Sequence, residues 1–207
     1  MLTAVLTGDL VASTKLPPSR RSSLLRSWLK ETLKTIPFEL SQGDSFQFKV
    51  ATIDGLAVAL RLRSHLRSIN PLDGYRPDVR ISIGLGEIDY TGPSLGESAG
   101  PAFELSGRGL LTDKYQIALL RITSSSAGFD AACNTALALA EVIIQRWTLA
   151  QALSINAALD GLNQQQIANK RGISQPAVQQ QLQAAGWPGL SSLLVYYSAS
   201  VNLLPSA

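Results

Sequence analysis

The sequence predicts an α+β protein in which a βαββαβ sheet domain precedes an all-helical domain. Short apolar runs alternate with segments of helical periodicity up to residue 123, whereas only Ala- and Leu-rich helical periodicity follows residue 129. A chain of 207 residues is long enough for one good core and a small second domain. We therefore expect a sheet domain over 1–123, a linker and connecting helix over 124–153, and a helix-turn-helix with a C-terminal helix over 154–207.

The first half of the sheet domain begins with the apolar run at 2–8, which reads as a buried strand that delivers Asp9 to the loop at its end. A loop at 17–19 precedes a helix whose apolar positions recur at helical spacing: Leu24, Leu25, Trp28, Leu29, Leu33 and Ile36. Alternating polarity at 38–41 and 46–50 predicts a hairpin with Asp44 at its tip. A strand-helix-strand path of this length would return Asp44 beside Asp9.

The second half of the sheet domain repeats the helix-strand pattern. A helix is expected to start at Asp54 and to end before Asn70-Pro71, and a strand follows at 79–84. A glycine-rich loop at 91–100 leads to a helix at 102–112 and to a further strand at 116–122. The Ser-rich residues 123–128 then link the two domains.

Residues 163–178 have the layout of a helix-turn-helix. Asn163 and Ser174 are placed to cap two helices, Gly172 to make the turn and Pro176 to lie in the first turn of the second helix. We expect residues 174–185 to form a recognition helix, since glutamine can bond adenine through N6 and N7. The candidate DNA-binding residues are Lys170, Arg171, Ser174, Gln175, Gln179, Gln180 and Gln183.

The composition excludes several classes of protein. A single cysteine, Cys133, and a single histidine, His65, exclude a disulfide framework and a zinc site built from these residue types, and they fit a reducing cytoplasm. Nothing in the pattern predicts a membrane segment, because Glu141 interrupts the longest apolar stretch and Asp9 follows the first apolar run too early for a signal peptide.

The net charge of +3 does not by itself decide whether the protein binds nucleic acid. One local cluster lies on the first predicted helix and is opposed only by Glu31: Lys15, Arg20, Arg21, Arg26, Lys30 and Lys34. Such a run either faces phosphates or is a solvated helix face.

Four sequence blocks together resemble the SatD family of bacterial proteins and the class III nucleotidyl cyclase fold: residues 7–13, 43–46, 80–87 and 105–109. The resemblance implies a ferredoxin-like βαββαβ nucleotidyl cyclase-like sheet domain. It also implies that Asp9, Asp44 and the carbonyl of Leu10 hold Mg²⁺ or Mn²⁺, which neutralises the charge of a triphosphate. A nucleoside triphosphate or other nucleotide would then contact the residues around this metal: Val11, Ala12, Ser13, Thr14, Gly43 and Arg108.

The sequence departs from the cyclase pattern in its catalytic helix. Arg108 matches the arginine that stabilises the transition state, but Glu104 stands where the cyclases have an asparagine. A carboxylate cannot donate the amide hydrogen bond, and it repels phosphate. The lysine that selects the purine is also missing before Gly43.

Three functions remain open at this point. The first is a cytoplasmic regulator that binds a nucleotide or metal and also binds DNA. The second is a nucleotidyl cyclase or phosphotransferase with Asp9 and Asp44 on metal and Arg108 as a catalytic residue. The third is a degenerate scaffold that docks a protein partner. In each case we expect a homodimer, because residues 131–153 offer a long apolar helix.

Overall fold

A five-stranded sheet forms the centre of the structure, a computed structural model that describes residues 2–41, 43–112 and 118–205. Its strands are β1 (Thr3–Leu10), β2 (Phe38–Ser41), β3 (Ser45–Ala51), β4 (Val79–Gly86) and β5 (Leu120–Thr123). They lie in the order β2-β3-β1-β4-β5, and only β4 and β5 are parallel. β1 is therefore the central strand, flanked by antiparallel partners.

Eight α-helices accompany the sheet in the described ranges: α1 (Pro18–Leu33), α2 (Gly55–Arg67), α3 (Pro101–Thr112), α4 (Ala127–Ile144), α5 (Leu149–Leu159), α6 (Gln164–Arg171), α7 (Gln175–Ala184) and α8 (Trp187–Val201). The predicted α+β composition is confirmed, and the first six elements follow one another as β1-α1-β2-β3-α2-β4. The strand expected at 116–122 is observed at Leu120–Thr123, and the start of that expectation, residues 116 and 117, lies outside the described residues.

The two faces of the sheet carry different layers. Ala4 and Ile83 point toward the start of α2, where a Cβ on Gly55 would lie 3.0 Å from the Cβ of Ala4. On the other face, α3 packs directly on β4: a Cβ on Gly84 would lie 2.2 Å from the carbonyl oxygen of Ala102. The Oγ atom of Ser106 on α3 is 2.9 Å from Oγ1 of Thr7 on β1. Period-two alternation along β1 thus separates an apolar face from a polar one.

The helices after residue 127 pack on the sheet unit, and their buried residues continue its hydrophobic core. α5 contacts α2, where Nδ2 of Asn156 donates to Oγ of Ser64 at 3.1 Å. α8 reaches the residues that precede α2, because the hydroxyl of Tyr197 donates to the carbonyl of Thr52 at 2.7 Å. Residues distant in sequence therefore share one continuous core.

α4 is the one helix of the described residues that is long and apolar enough to cross a membrane, judged by length and composition alone. Its mean hydropathy is 1.4 over 18 residues. In the structure α4 packs on β5 and α8, and its buried residues include Cys133 and Glu141. Burial raises the pKa of the Cys133 thiol to about 11, as expected of a small core residue rather than a reactive one.

Candidate functional site

The central strand β1 carries Asp9 near its C-terminal end, which lies at the same end of the sheet as the β2–β3 turn. We call this end of the sheet the Asp9 edge. Asp9 is paired with Ser45 on β3, and the amide of Leu10 donates to the carbonyl of Asp44 at 3.0 Å. Gly43 lies in the turn with a φ of 81°, a left-handed conformation that suits glycine. The strand pairing therefore places Asp44 next to the end of β1 that carries Asp9, as the sequence predicted.

The carboxylate of Asp9 is bound by an arginine from the strand on its other side. Arg80 is the register partner of Asp9 on β4, and its Nη2 and Nε atoms lie 2.5 Å and 3.2 Å from Oδ2 and Oδ1 of Asp9. Both side chains retain about a fifth of their accessibility, 20% for Arg80 and 22% for Asp9. A bidentate ion pair of this kind neutralises the carboxylate and fixes its orientation.

The carboxylate of Asp44 has a different partner. The hydroxyl of Ser13 donates to Oδ2 of Asp44 at 2.6 Å, and Ser13 is itself buried. Ser13 belongs to a short 3₁₀ turn that follows Ala12, whose φ of 51° is left-handed. The loop after β1 therefore folds back over the β2–β3 turn, with Val11 half-buried and Ala12 and Thr14 exposed.

The same loop is held from the other side by residues that precede β4. The amide of Val11 donates to the carbonyl of Asp78 at 3.0 Å, and the hydroxyl of Tyr75 donates to the carbonyl of Val11 at 3.0 Å. Burial, with the nearby carboxylates of Asp78 and Asp44, raises the pKa of Tyr75 to about 12. Tyr75 is therefore a stable hydrogen-bond donor at neutral pH.

Behind this loop lies a buried ionic cluster that the sequence did not predict. Arg63 on α2 is fully buried and forms bidentate hydrogen bonds with both Asp78 and Glu141, at distances from 2.5 to 2.9 Å. Arg67 adds a bond to Asp78 at 2.9 Å. Burial alone would raise the pKa of Asp78, but Arg63 and Arg67 lower it below its usual value. The cluster connects α2, α4 and the segment before β4.

α3 carries the two residues that the cyclase resemblance placed at the transition state. α3 runs along β4 from Gly86 toward the end that holds Arg80, since a Cβ on Gly86 would meet Ala102 and one on Gly109 would meet Ser82. Glu104 and Arg108 both lie on the exposed side of this helix. They are thus on a separate element from the edge that gathers Asp9, Ser13 and Asp44.

α6 and α7 are joined by a short turn whose caps are those predicted. Asn163 accepts from the amide of Gln166, Gly172 has a left-handed φ of 64°, and Ser174 accepts from the amide of Ala177. Several candidate DNA-binding residues are exposed: Lys170, Ser174, Gln179, Gln180 and Gln183.

The remaining two candidate DNA-binding residues contact their own chain. Nη1 of Arg171 donates to the carbonyl of Ala150 at 3.1 Å and to the side chains of Ser154 and Gln181 at 2.5 Å each. Gln175 bonds the side chain of Gln164. Arg171 thus ties α6 to α5 and α7, because its long side chain reaches acceptors that face inward. Its predicted role in DNA binding stays a prediction.

Comparisons with known proteins give little similarity. No family model matches the sequence, and no curated protein matches it. Among solved structures, the chain is similar to a bacterial light-regulated adenylyl cyclase, with 18% sequence identity and a TM-score of 0.42. The similarity covers 59% of this chain and 43% of the cyclase, so it spans less than half of that protein's length.

Proposed function

We propose that this protein is a cytoplasmic regulator that binds a nucleotide with a divalent cation at the Asp9 edge of the sheet and binds DNA through α6 and α7. One observation carries the first half: the bond from the Leu10 amide to the Asp44 carbonyl, which sets two carboxylate-bearing loops side by side. Ala12 and Gly43 both have left-handed φ values, which allow the sharp turns of these two loops. In this proposal the sheet unit is a ferredoxin-like, nucleotidyl cyclase-like domain of a SatD family protein, which the order and pairing of β1 to β4 support.

The donor set at this edge fits Mg²⁺ or Mn²⁺ bound together with phosphates. Asp9, Asp44 and the Leu10 carbonyl supply oxygen ligands, and Oδ1 of Asp44 accepts no hydrogen bond from the described residues. No cluster of three or more His, Cys, Asp or Glu side chains occurs in those ranges. Mg²⁺ does not need one, because it commonly takes one or two carboxylates and completes its shell with waters and phosphate oxygens. Bound there, the metal would neutralise phosphate charge.

Binding is a better supported proposal than catalysis. The cyclase reaction requires a hydrogen-bond donor beside the arginine on α3, and Glu104 offers an exposed carboxylate instead. Arg108 lies on the same exposed side of α3, so it adds positive charge to that surface without the amide partner that the chemistry uses. The proposal therefore places Asp9, Asp44 and the loop 11–14 in ligand binding and assigns Arg108 no chemical step.

Calorimetric titration with each nucleoside triphosphate, in the presence and absence of Mn²⁺, tests this proposal. We expect one triphosphate to bind in a metal-dependent way and Asp44→Asn to weaken binding at least tenfold, because it removes a ligand charge. Asp89→Asn is the matched control, since Asp89 is an exposed aspartate in the loop after β4. Product analysis of the same mixtures detects cyclisation or hydrolysis. Equal binding by Asp44→Asn and Asp89→Asn would contradict the proposed site.

The DNA-binding half of the proposal is carried by the exposed glutamines of α7. Gln179, Gln180 and Gln183 project from a helix whose opposite side is buried through Val178 and Leu182. Ser174 caps the helix, because its hydroxyl oxygen accepts from the amide of Ala177. Such an arrangement of cap, exposed polar side chains and buried face is typical of a recognition helix in a major groove.

Selection of bound fragments from random duplex DNA tests this half separately. We expect an A-containing motif to be enriched and Gln179→Ala with Gln180→Ala to reduce its affinity by at least about thirtyfold, because two bidentate contacts at about 1–3 kcal/mol each amount to at least about 2 kcal/mol. Gln165→Ala with Asn169→Ala on α6 is the matched control, because it removes two exposed amide side chains and leaves the capping residue Gln166 in place. No enrichment, or an equal effect of both pairs, would leave α6 and α7 as a protein-docking surface.

Self-association is the third part of the proposal. The outer face of α4 exposes Leu139, Val142 and Ile143, and an apolar groove of about 240 Å³ lies between α4 and α8. The groove is continuous with the exposed leucine and isoleucine, since both residues line it. A second copy would cover this face with an identical face, as two-fold symmetry requires. A dimer would also double the number of DNA contacts.

A further inference from the structure

α1 presents a row of basic side chains on its outer side. Arg20, Arg26, Lys30 and Lys34 are all exposed, and we call this row the α1 basic face. Arg26 and Lys30 lie one turn apart on one side of α1, and Lys34 is the residue directly after its last turn. The buried residues of the helix occupy the other side: Leu25, Trp28, Leu29, Thr32 and Leu33. The four cationic side chains therefore face solvent and take no part in the hydrophobic core.

The cations of this face are not balanced by the residues around them. Among the described residues, none of the four forms an ion pair. The carboxylate closest in sequence, Glu31, already contacts Nε2 of His65 at 3.3 Å and accepts from the hydroxyl of Ser27 at 3.2 Å. Within the described ranges, no carboxylate therefore pairs with these four cations.

Helix stability does not account for the row either. Cations stabilise the C-terminal end of a helix, which explains Lys30 and Lys34. Arg20, however, lies in the first turn, where the helix dipole favours an acidic residue, and the first turn of α1 has none. Arg26 lies near the middle, where the dipole has little effect. At least two of the four positions are thus basic for another reason.

The chemistry of the face selects one class of polyanion. Small hydroxyl side chains, Ser19, Ser23 and Ser27, stand between the cations, and the exposed positions of α1 include no large apolar residue. A membrane-binding helix needs such residues to enter the headgroup region, so a lipid surface fits poorly. Lysine, arginine and serine are the side chains that contact DNA phosphates.

The spacing of the cations also suits a nucleic-acid strand. Arg26, Lys30 and Lys34 follow one another every four residues, about 6 Å apart along the axis at 1.5 Å per residue. One DNA strand carries a charge about every 3.4 Å of its axis. The roughly 12 Å between Arg26 and Lys34 therefore faces three to four phosphates, which three long flexible side chains can reach.

The charge distribution of the whole chain points to the same surface. The helical part offers only Lys170 and Arg146 as exposed cations among its described residues, because Arg171 is turned inward. Base recognition by α7 would thus have little phosphate neutralisation of its own, although that term supplies most of the affinity of DNA-binding proteins.

We propose that the α1 basic face binds the phosphate backbone of nucleic acid without regard to sequence. Arg26, Lys30 and Lys34 neutralise phosphates along one strand. This surface is separate from α7 and does not depend on base recognition there. It supplies the sequence-independent part of the affinity that α6 and α7 lack.

Fluorescence anisotropy with a duplex of random sequence, titrated at several salt concentrations, tests the proposal. Each phosphate contact contributes about 0.9 to the slope of log K against log salt, so Arg26→Gln with Lys30→Gln should lower the slope by about 2. The matched control is Lys49→Gln with Arg146→Gln, which removes the same charge from β3 and from the turn between α4 and α5. The control should change the slope by less than about 0.5.

Two further measurements complete the test. Protection of Lys30 and Lys34 from acetylation by bound DNA, with Lys49 as internal reference, reports the contact directly in the unmodified chain. Co-sedimentation with vesicles that contain anionic lipid tests the other polyanion. Equal slopes for the two double variants, unprotected lysines, or vesicle binding that exceeds duplex binding would each overturn the proposal. Because the duplex has no selected sequence, the result is independent of whether α7 reads bases.

Discussion

The guanidinium of Arg80 lies on the carboxylate of Asp9, with Nη2 2.5 Å from Oδ2 and Nε 3.2 Å from Oδ1. The two residues are direct register partners on β4 and β1, so the strand pairing itself sets this contact. Arginine stays protonated at any physiological pH and therefore competes with a divalent cation for the same oxygens. In the proposed site, Arg80 is an internal counter-ion that a metal–nucleotide complex has to displace.

Removing this counter-ion is expected to strengthen metal binding. Arg80→Gln removes the charge and the guanidinium that bind both oxygens of Asp9 and keeps a polar side chain, so the affinity for Mn²⁺ should rise about three- to tenfold, or roughly 0.7–1.4 kcal/mol. Titration calorimetry with Mn²⁺ alone measures the change. Arg146→Gln removes an exposed cation elsewhere and should have no such effect. Unchanged or weaker Mn²⁺ binding by Arg80→Gln would contradict the competition.

The buried cluster around Arg63 is expected to be strongly coupled to stability. Glu141→Gln leaves the fully buried Arg63 with one carboxylate instead of two, and loss of one partner in such a pair costs about 3–5 kcal/mol of unfolding free energy. Urea denaturation measures this. Glu104→Gln, at an exposed site on α3, should change the unfolding free energy by less than about 0.5 kcal/mol. Equal effects would show that the cluster is not desolvated as described.

The same cluster predicts how acid destabilises the protein. Arg63 and Arg67 hold the pKa of Asp78 below its ordinary value in the folded state, despite the opposing effect of burial. The carboxylate of Asp78 therefore binds a proton more readily in the unfolded chain than in the folded one. Its ionised form contributes its full stabilisation of the fold at pH values above the unfolded-state pKa of about 3.9. This stabilisation is lost as the pH falls from that value through the pKa of Asp78 in the folded state. Asp78→Asn should flatten this acid limb in urea titrations, whereas Asp89→Asn should leave it intact.

The sequence predicted the elements well because their signals are local. The alternation around Phe46 and Phe48 and the caps Asn163 and Ser174 depend only on near neighbours, and all are observed as expected. The pairing of Asp9 with Arg80 depends on the register between two strands, and the two residues are 71 apart in sequence, so no local pattern predicts it. The buried role of Glu141 has one sequence signal: it is the single charged residue of α4 after Asp130, within an otherwise apolar stretch.

The contact between α3 and β4 leaves no room for a side chain at Gly84. A Cβ there would lie 2.3 Å from the amide nitrogen of Ser106 as well as close to Ala102, and both obstacles are backbone atoms. Gly84→Ala should therefore destabilise the fold by at least about 2 kcal/mol through forced separation of helix and strand. Gly107, on α3 itself, has nothing near its missing Cβ.

Gly107→Ala is therefore the matched substitution and should have the opposite sign. An alanine in a helix interior is favoured over glycine by about 1 kcal/mol, because the unfolded chain loses less entropy on folding. Thermal melts of both variants give the comparison. A destabilised Gly107→Ala, or a neutral Gly84→Ala, would show that α3 packs on β4 less closely than described.

The exposed face of α4 predicts the way in which the protein self-associates. Leu139 is 70% exposed and lines the apolar groove against α8, so a facing copy would bury it. Leu139→Gln keeps the helix propensity and places an amide where the interface would be dry, which should weaken a dimer by about 1–3 kcal/mol.

Leu203→Gln is the matched control, because Leu203 is 83% exposed beyond the end of α8. Sedimentation equilibrium at tens of micromolar should show a dimer for the unmodified chain and for Leu203→Gln, but a shift toward monomer for Leu139→Gln. A monomer in all three cases would remove self-association from the proposal and leave the α4 face without a partner copy.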